Sequence, residues 1–241
     1  MTKQPLKGIK VLDLGHYIAG PYCGKLMADM GAEVIKIEPP SGEPGRRLAP
    51  FIQDKPSLDS SLPFFYLNSN KKGITINLKT ENGISILKDF IKKTDVIIEN
   101  FSPGTLNSLG IGYDTIHSIN PSAVVVSISN FGQTGPYKDY KATEIIEYAL
   151  GGLMGIFGAY DKPPIKHALN QAQIKAGTNA ANAALMAVYW SKLNGKGQHI
   201  DVSIHECIAY GLRDTTSNYT YTGAVRRRQP NHTATKPCKG G

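Results

Sequence analysis

Apolar residues recur along the chain in two alternating rhythms. Short runs rich in β-branched residues, "IKVLDL" (9–14), "EVIKIE" (33–38), "GITINL" (73–78), "DVIIE" (95–99), "AVVVSIS" (123–129) and "QHIDVSI" (198–204), predict six strands. Between them the spacing turns helical. "YCGKLMADM" follows Pro21, read as the first helical position, and Gly31 closes it as a C-terminal cap. "TENGISILKDFIKKTD" puts Ile84, Leu87 and Ile91 on one face and two lysines in its last turn. Two short helices are expected in "SPGTLNSLGIGYDTIHSIN". A further helix runs over 141–150 as far as Gly151 and Gly152, and a longer, alanine-rich one over about 174–193 is broken by "NGKG". "HECIAYGLRDTTSNY" predicts a last helix leading away from the sheet. Strand and helix in alternation predict an α/β fold, a Rossmann-like open parallel sheet flanked by helices.

The last stretch, "TGAVRRRQPNHTATKPCKGG", has no periodicity and reads as a linker. Residues 1–204 are therefore expected to form a large domain, and 205–241 a helix and linker toward a second, small domain that is absent. No repeat or low-complexity tract is present. The start has no apolar core of a signal peptide and no stretch has membrane-spanning length, so a cytoplasmic location is the default expectation.

The formal charge of +8 raises nucleic acid or an anionic membrane as partners, but five of those charges (Arg226, Arg227, Arg228, Lys236, Lys239) lie in residues 217–241, which contain no acid. Residues 1–216 carry only +3, so a basic binding module rests on the tail alone, and neither nucleic acid nor membrane is expected as a partner. The three cysteines, Cys23, Cys207 and Cys238, are odd in number and far apart; neither a disulfide framework nor a metal site is expected.

The loop "GHYIAG" (15–20) follows a strand and precedes a helix, where open α/β sheets hold ligands, yet it matches neither the P-loop nor the dinucleotide fingerprint. A helix N-terminus beside it favours an anionic or polarised group. A ligand loop and a tight turn both satisfy the residues, and His16 alone suits a structural role as well as that of a base. "NFGQTGPY" follows a second strand end. No serine has a nucleophile-elbow pattern.

The blocks "VLDLGHYIAGPYCGKLMADMGAEVIKIEPPSGEPGRR", "LNSNKKGITINLKT", "DVIIENFSPGTLNSLGIGYDTI", "VVVSISNFGQTGPY", "YALGGLMGIFG" and "AALMAVYWSKLNGKGQHIDVSIHE" resemble, in order and over nearly the whole chain, the class III CoA-transferases. That family includes formyl-CoA transferase and the carnitine CoA-transferases, with α-methylacyl-CoA racemase as a relative. The resemblance implies coenzyme A or an acyl-CoA as substrate, a carboxylic acid as second substrate, no metal, and a homo- or heterodimer with a homologous subunit. It places the 15–20 loop against CoA near the thioester. In relatives an aspartate attacks the acyl-CoA to form an anhydride, which CoA opens to an aspartyl thioester.

That aspartate's position falls here at Gln173, in "NQAQIKAG", and a neutral amide cannot form the anhydride. The same substitution impairs a racemase or isomerase reading, in which the aspartate carries a proton. His16, Ala19, Asn100, Phe101, Lys141 and Glu144 keep the residue types that formyl-CoA transferase has near CoA or its reacting centre, and Tyr17 and Ile76 lie in the same implied CoA-binding set. Ile18, Pro39 and Ser108 stand where that relative has a glutamine and two arginines. This leaves Arg46, Arg47, Lys71 and Lys72 either as replacement CoA contacts or as plain surface cations. Glu144 and Lys141 are the remaining candidate catalytic groups. Relatives are longer, so the resemblance implies an incomplete or non-nucleophilic subunit, or the non-catalytic member of a heteromeric transferase.

Overall fold

The computed structural model describes residues 4–228; the final part of the expected linker, with Lys236, Cys238 and Lys239, lies outside the described residues. Six strands, β1 (Lys10–Asp13), β2 (Glu33–Glu38), β3 (Lys72–Thr75), β4 (Val96–Glu99), β5 (Val124–Ser129) and β6 (His199–Ser203), form one sheet in the order β3-β2-β1-β4-β5-β6. Every pairing is parallel. Both faces are covered, because alternate residues of one strand enter different cores. Val96 and Ile98 pack with Val124, Val126 and Ile128 on one face. Ile97 and Val125 pack on the other.

The helices are α1 (Ala19–Asp29), α2 (Leu62–Leu67), α3 (Glu81–Ile91), α4 (Thr105–Ser108), α5 (Tyr113–Ile119), α6 (Glu144–Leu150), α7 (Gln171–Asn194), α8 (Ile204–Tyr210) and α9 (Arg213–Thr222). Helix α1 begins two residues before Pro21, so the proline sits within the first turn, where a missing N–H leaves no intrahelical bond unmade. Gly31 ends it with φ of 98°, a conformation open to glycine at little cost. Strand β3 stops at Thr75, short of the expected 78, because the next turn caps α3: the Thr80 hydroxyl accepts from Gly83 N at 3.1 Å. Helix α2 was not expected; Ser61 caps it, accepting from Phe64 N at 3.3 Å. The expected 205–219 helix breaks into α8 and α9 at Gly211 and Leu212. Ile204, Cys207 and Ile208 of α8 are buried in the same core as α7, so the packing of the sheet domain continues beyond residue 204.

Helices α1 and α7 pack against each other on one face of the sheet. Ala172, Ala176, Ala180 and Ala184, one per turn, are buried along α7 and permit close approach. At Gly177 the fit is tightest, since a Cβ there would lie 2.6 Å from the Ala19 carbonyl oxygen. The start of α1 thereby fixes where the start of α7 lies.

Candidate functional site

Strand β1 has β2 on one side and β4 on the other, so the chain changes direction across the sheet between them, which opens a crevice at their C-terminal ends. The loops after β1 and β4 meet there. His16 N donates to Asn100 Oδ1 at 2.6 Å, and Asn100 Nδ2 donates to the His16 carbonyl at 2.9 Å, a reciprocal clasp. The glycines of the 15–20 loop serve close packing: a Cβ on Gly15 would lie 2.8 Å from Gly20 Cα, and one on Gly20 3.2 Å from Asn100 Oδ1. Tyr17 is held at φ of 58°, and its N–H donates to Glu43 Oε2 at 3.1 Å.

Beneath the loop lies a buried charge cluster. Asp13 is fully buried, accepts from Gly15 N at 2.8 Å, and pairs with Lys71 at 2.7 Å and Lys36 at 3.7 Å. Lys36 also donates to the Gly15 carbonyl. Burial acts to raise the Asp13 carboxyl, but the two ammonium groups and their hydrogen bonds outweigh it and hold the group below its ordinary value. Burial pushes the Lys71 ammonium down and Lys36 adds to it, more than Asp13 holds it up.

The loop itself is electrostatically asymmetric. The His16 imidazole is pushed down to about 4, because burial and then Lys36 disfavour the cation more than Asp13 and Glu38 favour it. Its ring meets Phe101 edge-on at 5.0 Å. With the folded value below the ordinary 6.5, its contribution to stability is present above that pH and is lost as pH falls toward 4. Histidine ring NMR is expected to show His16 titrating near pH 4; a midpoint above 6 would contradict this environment.

A cavity of about 700 Å³ opens between these loops and the starts of α6 and α7. Tyr17, Ile18, Asn100 and Phe101 line one side, and Lys141, Glu144 and Gln173 the other. Glu144 is buried and its carboxylate caps α7, accepting from Ala172 N at 2.7 Å and Gln173 N at 3.3 Å. Burial raises it despite those bonds. Glu147, one turn on, is fully buried and receives the Gln173 side-chain Nε2 at 3.1 Å on each oxygen. Burial pushes it up to about 7.

Other expected binding residues are placed elsewhere. Ala19 is wholly buried in the α1–α7 core, and Ile76 is buried in the opposite core. Arg46 is not a free cation: it grips both oxygens of Glu38 at 2.6 and 2.7 Å, pairs with Asp59 at 2.9 Å and covers the Phe64 ring. Lys71 is consumed by Asp13 as described. Lys72 opens β3 and pairs with Glu33, the first residue of β2, at the opposite end of the sheet from the crevice. Arg47 is exposed and donates to the Ser41 carbonyl at 3.0 Å. Sequence reasoning missed Lys36, Glu43, Glu147 and the buried Ser129, whose hydroxyl lacks a partner and whose residue lines the cavity. A single charge inside an apolar strand, as in "EVIKIE", was the available signal for Lys36.

Residues 6–240 match the model of CoA-transferase family III. The chain belongs to that family. Succinyl-CoA–D-citramalate CoA-transferase of Chloroflexus aurantiacus is 38% identical over 229 residues, 95% of this chain and 56% of that protein. Succinyl-CoA:(R)-benzylsuccinate CoA-transferase subunit BbsE of Thauera aromatica is 31% identical over 241 residues, 99% of this chain and 58% of its own. A CAIB/BAIF family protein from Brucella suis superposes with a TM-score of 0.89 at 33% identity, over 95% of this chain and 60% of that one. The chain thus spans somewhat more than half the length of these family members. No described helix is long and apolar enough to cross a membrane.

Proposed function

We propose that this chain is a CoA- or acyl-CoA-binding part of a family III CoA-transferase, and that it does not itself supply the carboxylate that attacks the thioester. Family membership supports chemistry that moves CoA between carboxylic acids, and the names of the relatives describe CoA transfer. The observation that carries the finer reading is Gln173. The residue at the expected nucleophile position is an amide whose nitrogen is committed to Glu147, and an amide oxygen is a weak nucleophile. The neighbouring acids do not replace it. Glu144 is occupied in capping α7, and Glu147 is fully buried behind Gln173.

The crevice suits a thin thioester arm. It lies at the sheet's switch point and combines apolar Ile18 and Phe101 with exposed Lys138 and Lys141. In this reading Asn100 holds the loop that faces the ligand. A complementing carboxylate comes from a homologous subunit; one relative bears the word subunit in its name. Titration calorimetry is the direct test. Saturable CoA binding is expected, about tenfold weaker in Asn100→Ala, which loses the two bonds of the clasp. Absence of binding by folded protein to CoA and to every acyl-CoA tried would defeat the reading.

A further inference from the structure

Glu99, the last residue of β4, is 4% exposed and does not line the cavity between the loops and α7. Its carboxylate reaches the backbone of a loop that does: Phe101 N donates to Glu99 Oε2 at 2.8 Å. The Phe101 ring meets His16, and Asn100 makes the reciprocal clasp to the His16 backbone. Glu99 therefore acts on the candidate site through the two residues that follow it.

A second cavity, of about 390 Å³, borders the same loop; Glu99, Ser127 and His199 line it, and Ser102 and Pro103 line both cavities. In the sheet register Glu99 lies opposite Ser127, and Ser127 opposite Asp201, so the three side chains share one face. Ser127 Oγ lies 2.9 Å from His199 Nε2, and Asp201 accepts from Gln133 N at 2.9 Å. Asp114 of α5, with Lys138 and Asp139 of the loop before α6, are the other charged groups lining this cavity. Asp13 has two ammonium groups beside it and Glu38 a guanidinium, whereas among the described residues no cation is paired with Glu99. Burial pushes its carboxyl up to about 7, Asp201 adding to the rise, against the Ser127 hydroxyl and the Phe101 N–H that hold it down.

A hydrogen bond to an ionised acceptor is about twice as strong as one to a neutral acceptor, so the charge on Glu99 decides how firmly Phe101 is held. Building on the CoA-thioester reading of the crevice, we propose that Glu99 is a positioning residue: ionised, it holds the Asn100–Phe101 loop in the shape that receives the thioester arm, and a proton gained there loosens the loop and weakens binding. No covalent step is involved. The charge is held at a cost to stability. The folded value lies above the ordinary 4.5, so Glu99 is neutral in both folded and unfolded chains below that pH and costs nothing; stability falls as pH rises from 4.5 to about 7 and stays lower above it.

The probe is dephospho-CoA, which lacks the phosphate monoester of CoA that itself titrates at about pH 6. Calorimetry should show it bound about fivefold more tightly by the wild-type chain at pH 8 than at pH 6, and by Glu99→Gln equally at both, near the wild-type value at pH 6. Without ligand, the NMR shifts of the Phe101 amide should titrate with a midpoint near 7 in the wild type and stay flat in Glu99→Gln. Ser127→Ala should move that midpoint to higher pH, because a hydroxyl that favours the charge is gone, and Asp201→Asn to lower pH, because a like charge is gone. In urea unfolding at pH 8, Glu99→Gln should be at least as stable as the wild type. A merely structural role would instead lower its stability and weaken binding by the same factor at both pH values, overturning the proposal. A pH profile that persists in Glu99→Gln would place the titrating group elsewhere, with Glu147 the first candidate, and would also overturn it. So would a Phe101 amide that does not titrate in the wild type. Should Glu99→Gln fail to fold, the opposite shifts in Ser127→Ala and Asp201→Asn decide, and a midpoint unmoved in both would overturn the proposal. If dephospho-CoA and CoA fail to bind folded wild-type protein at every pH, the CoA reading falls and this inference with it, whereas binding that does not depend on Glu99 removes this inference alone.

Discussion

Asp13→Asn is expected to cost about 3–5 kcal/mol, the range found when one partner is removed from a buried ion pair. The substitution leaves Lys36 and Lys71 with no carboxylate: the Lys36 side chain is 2% exposed and that of Lys71 1%. Lys71→Met should cost much less, because Asp13 keeps Lys36 as a partner and the methionine stem replaces the buried lysine stem. Urea unfolding at constant m-value measures both. An Asp13→Asn loss below about 1 kcal/mol, or a larger loss in Lys71→Met, would show that the cluster is not the support of the loop above it. Since Asp13 titrates below its ordinary 3.8 in the fold, its contribution is present above that pH and is lost as pH falls through the lowered value.

The second large effect concerns chemistry. Removing a nucleophile from an enzyme lowers turnover by about six orders of magnitude in the protease where this was dissected. With an amide at 173, the chain alone is therefore expected to show no CoA exchange between succinate or acetate and their thioesters, and no hydroxylamine-trapped acyl adduct by mass spectrometry. Adding a homologous subunit that carries an aspartate at the corresponding position should restore exchange, with the adduct on that subunit. Exchange by the unaltered chain that survives Gln173→Ala would reverse this account and direct the search to Glu144. An adduct mapped to Glu147 would do the same for the buried acid.

Much of the fold is written locally. Each of the six strands is an apolar run of near-constant spacing, and an all-parallel sheet buried on both faces leaves such runs little choice of role. What failed were ends and isolated short elements. Strand β3 loses its last residues to a cap that begins at Thr80, and α2 is a six-residue helix with too little periodicity to be seen. The 15–20 loop was legible because it follows a strand, whereas Asn100 and Phe101 were picked out only through the family resemblance; the two loops meet across the switch point. The basic residues were not. Whether Lys71 is a surface cation or a buried one depends on Asp13, 58 residues earlier, and Arg46 likewise depends on Glu38 and the face of Phe64. Glu147 was invisible for a related reason. In sequence it is one more acid on a helix; its amide partners come from α7 and from Asn130, just after β5, neither of which the sequence places beside it.

The contact between Gly177 and the Ala19 carbonyl sets a limit on how this chain can vary in length. Residue 177 alone on that part of α7 can sit against the carbonyl, because its neighbours Ala176 and Thr178 carry a Cβ. Adding or deleting one residue between 171 and 177 would turn the helix start by about 100° and shift it by about 1.5 Å relative to this anchor. Position 173 would then leave the cavity wall, and Glu144 would lose the amides it caps. The exposed segment 159–165 carries no such anchor to α1, and a residue gained or lost there can be absorbed before α7 begins. Insertional scanning should thus find a tolerant stretch ending abruptly at the first turn of α7.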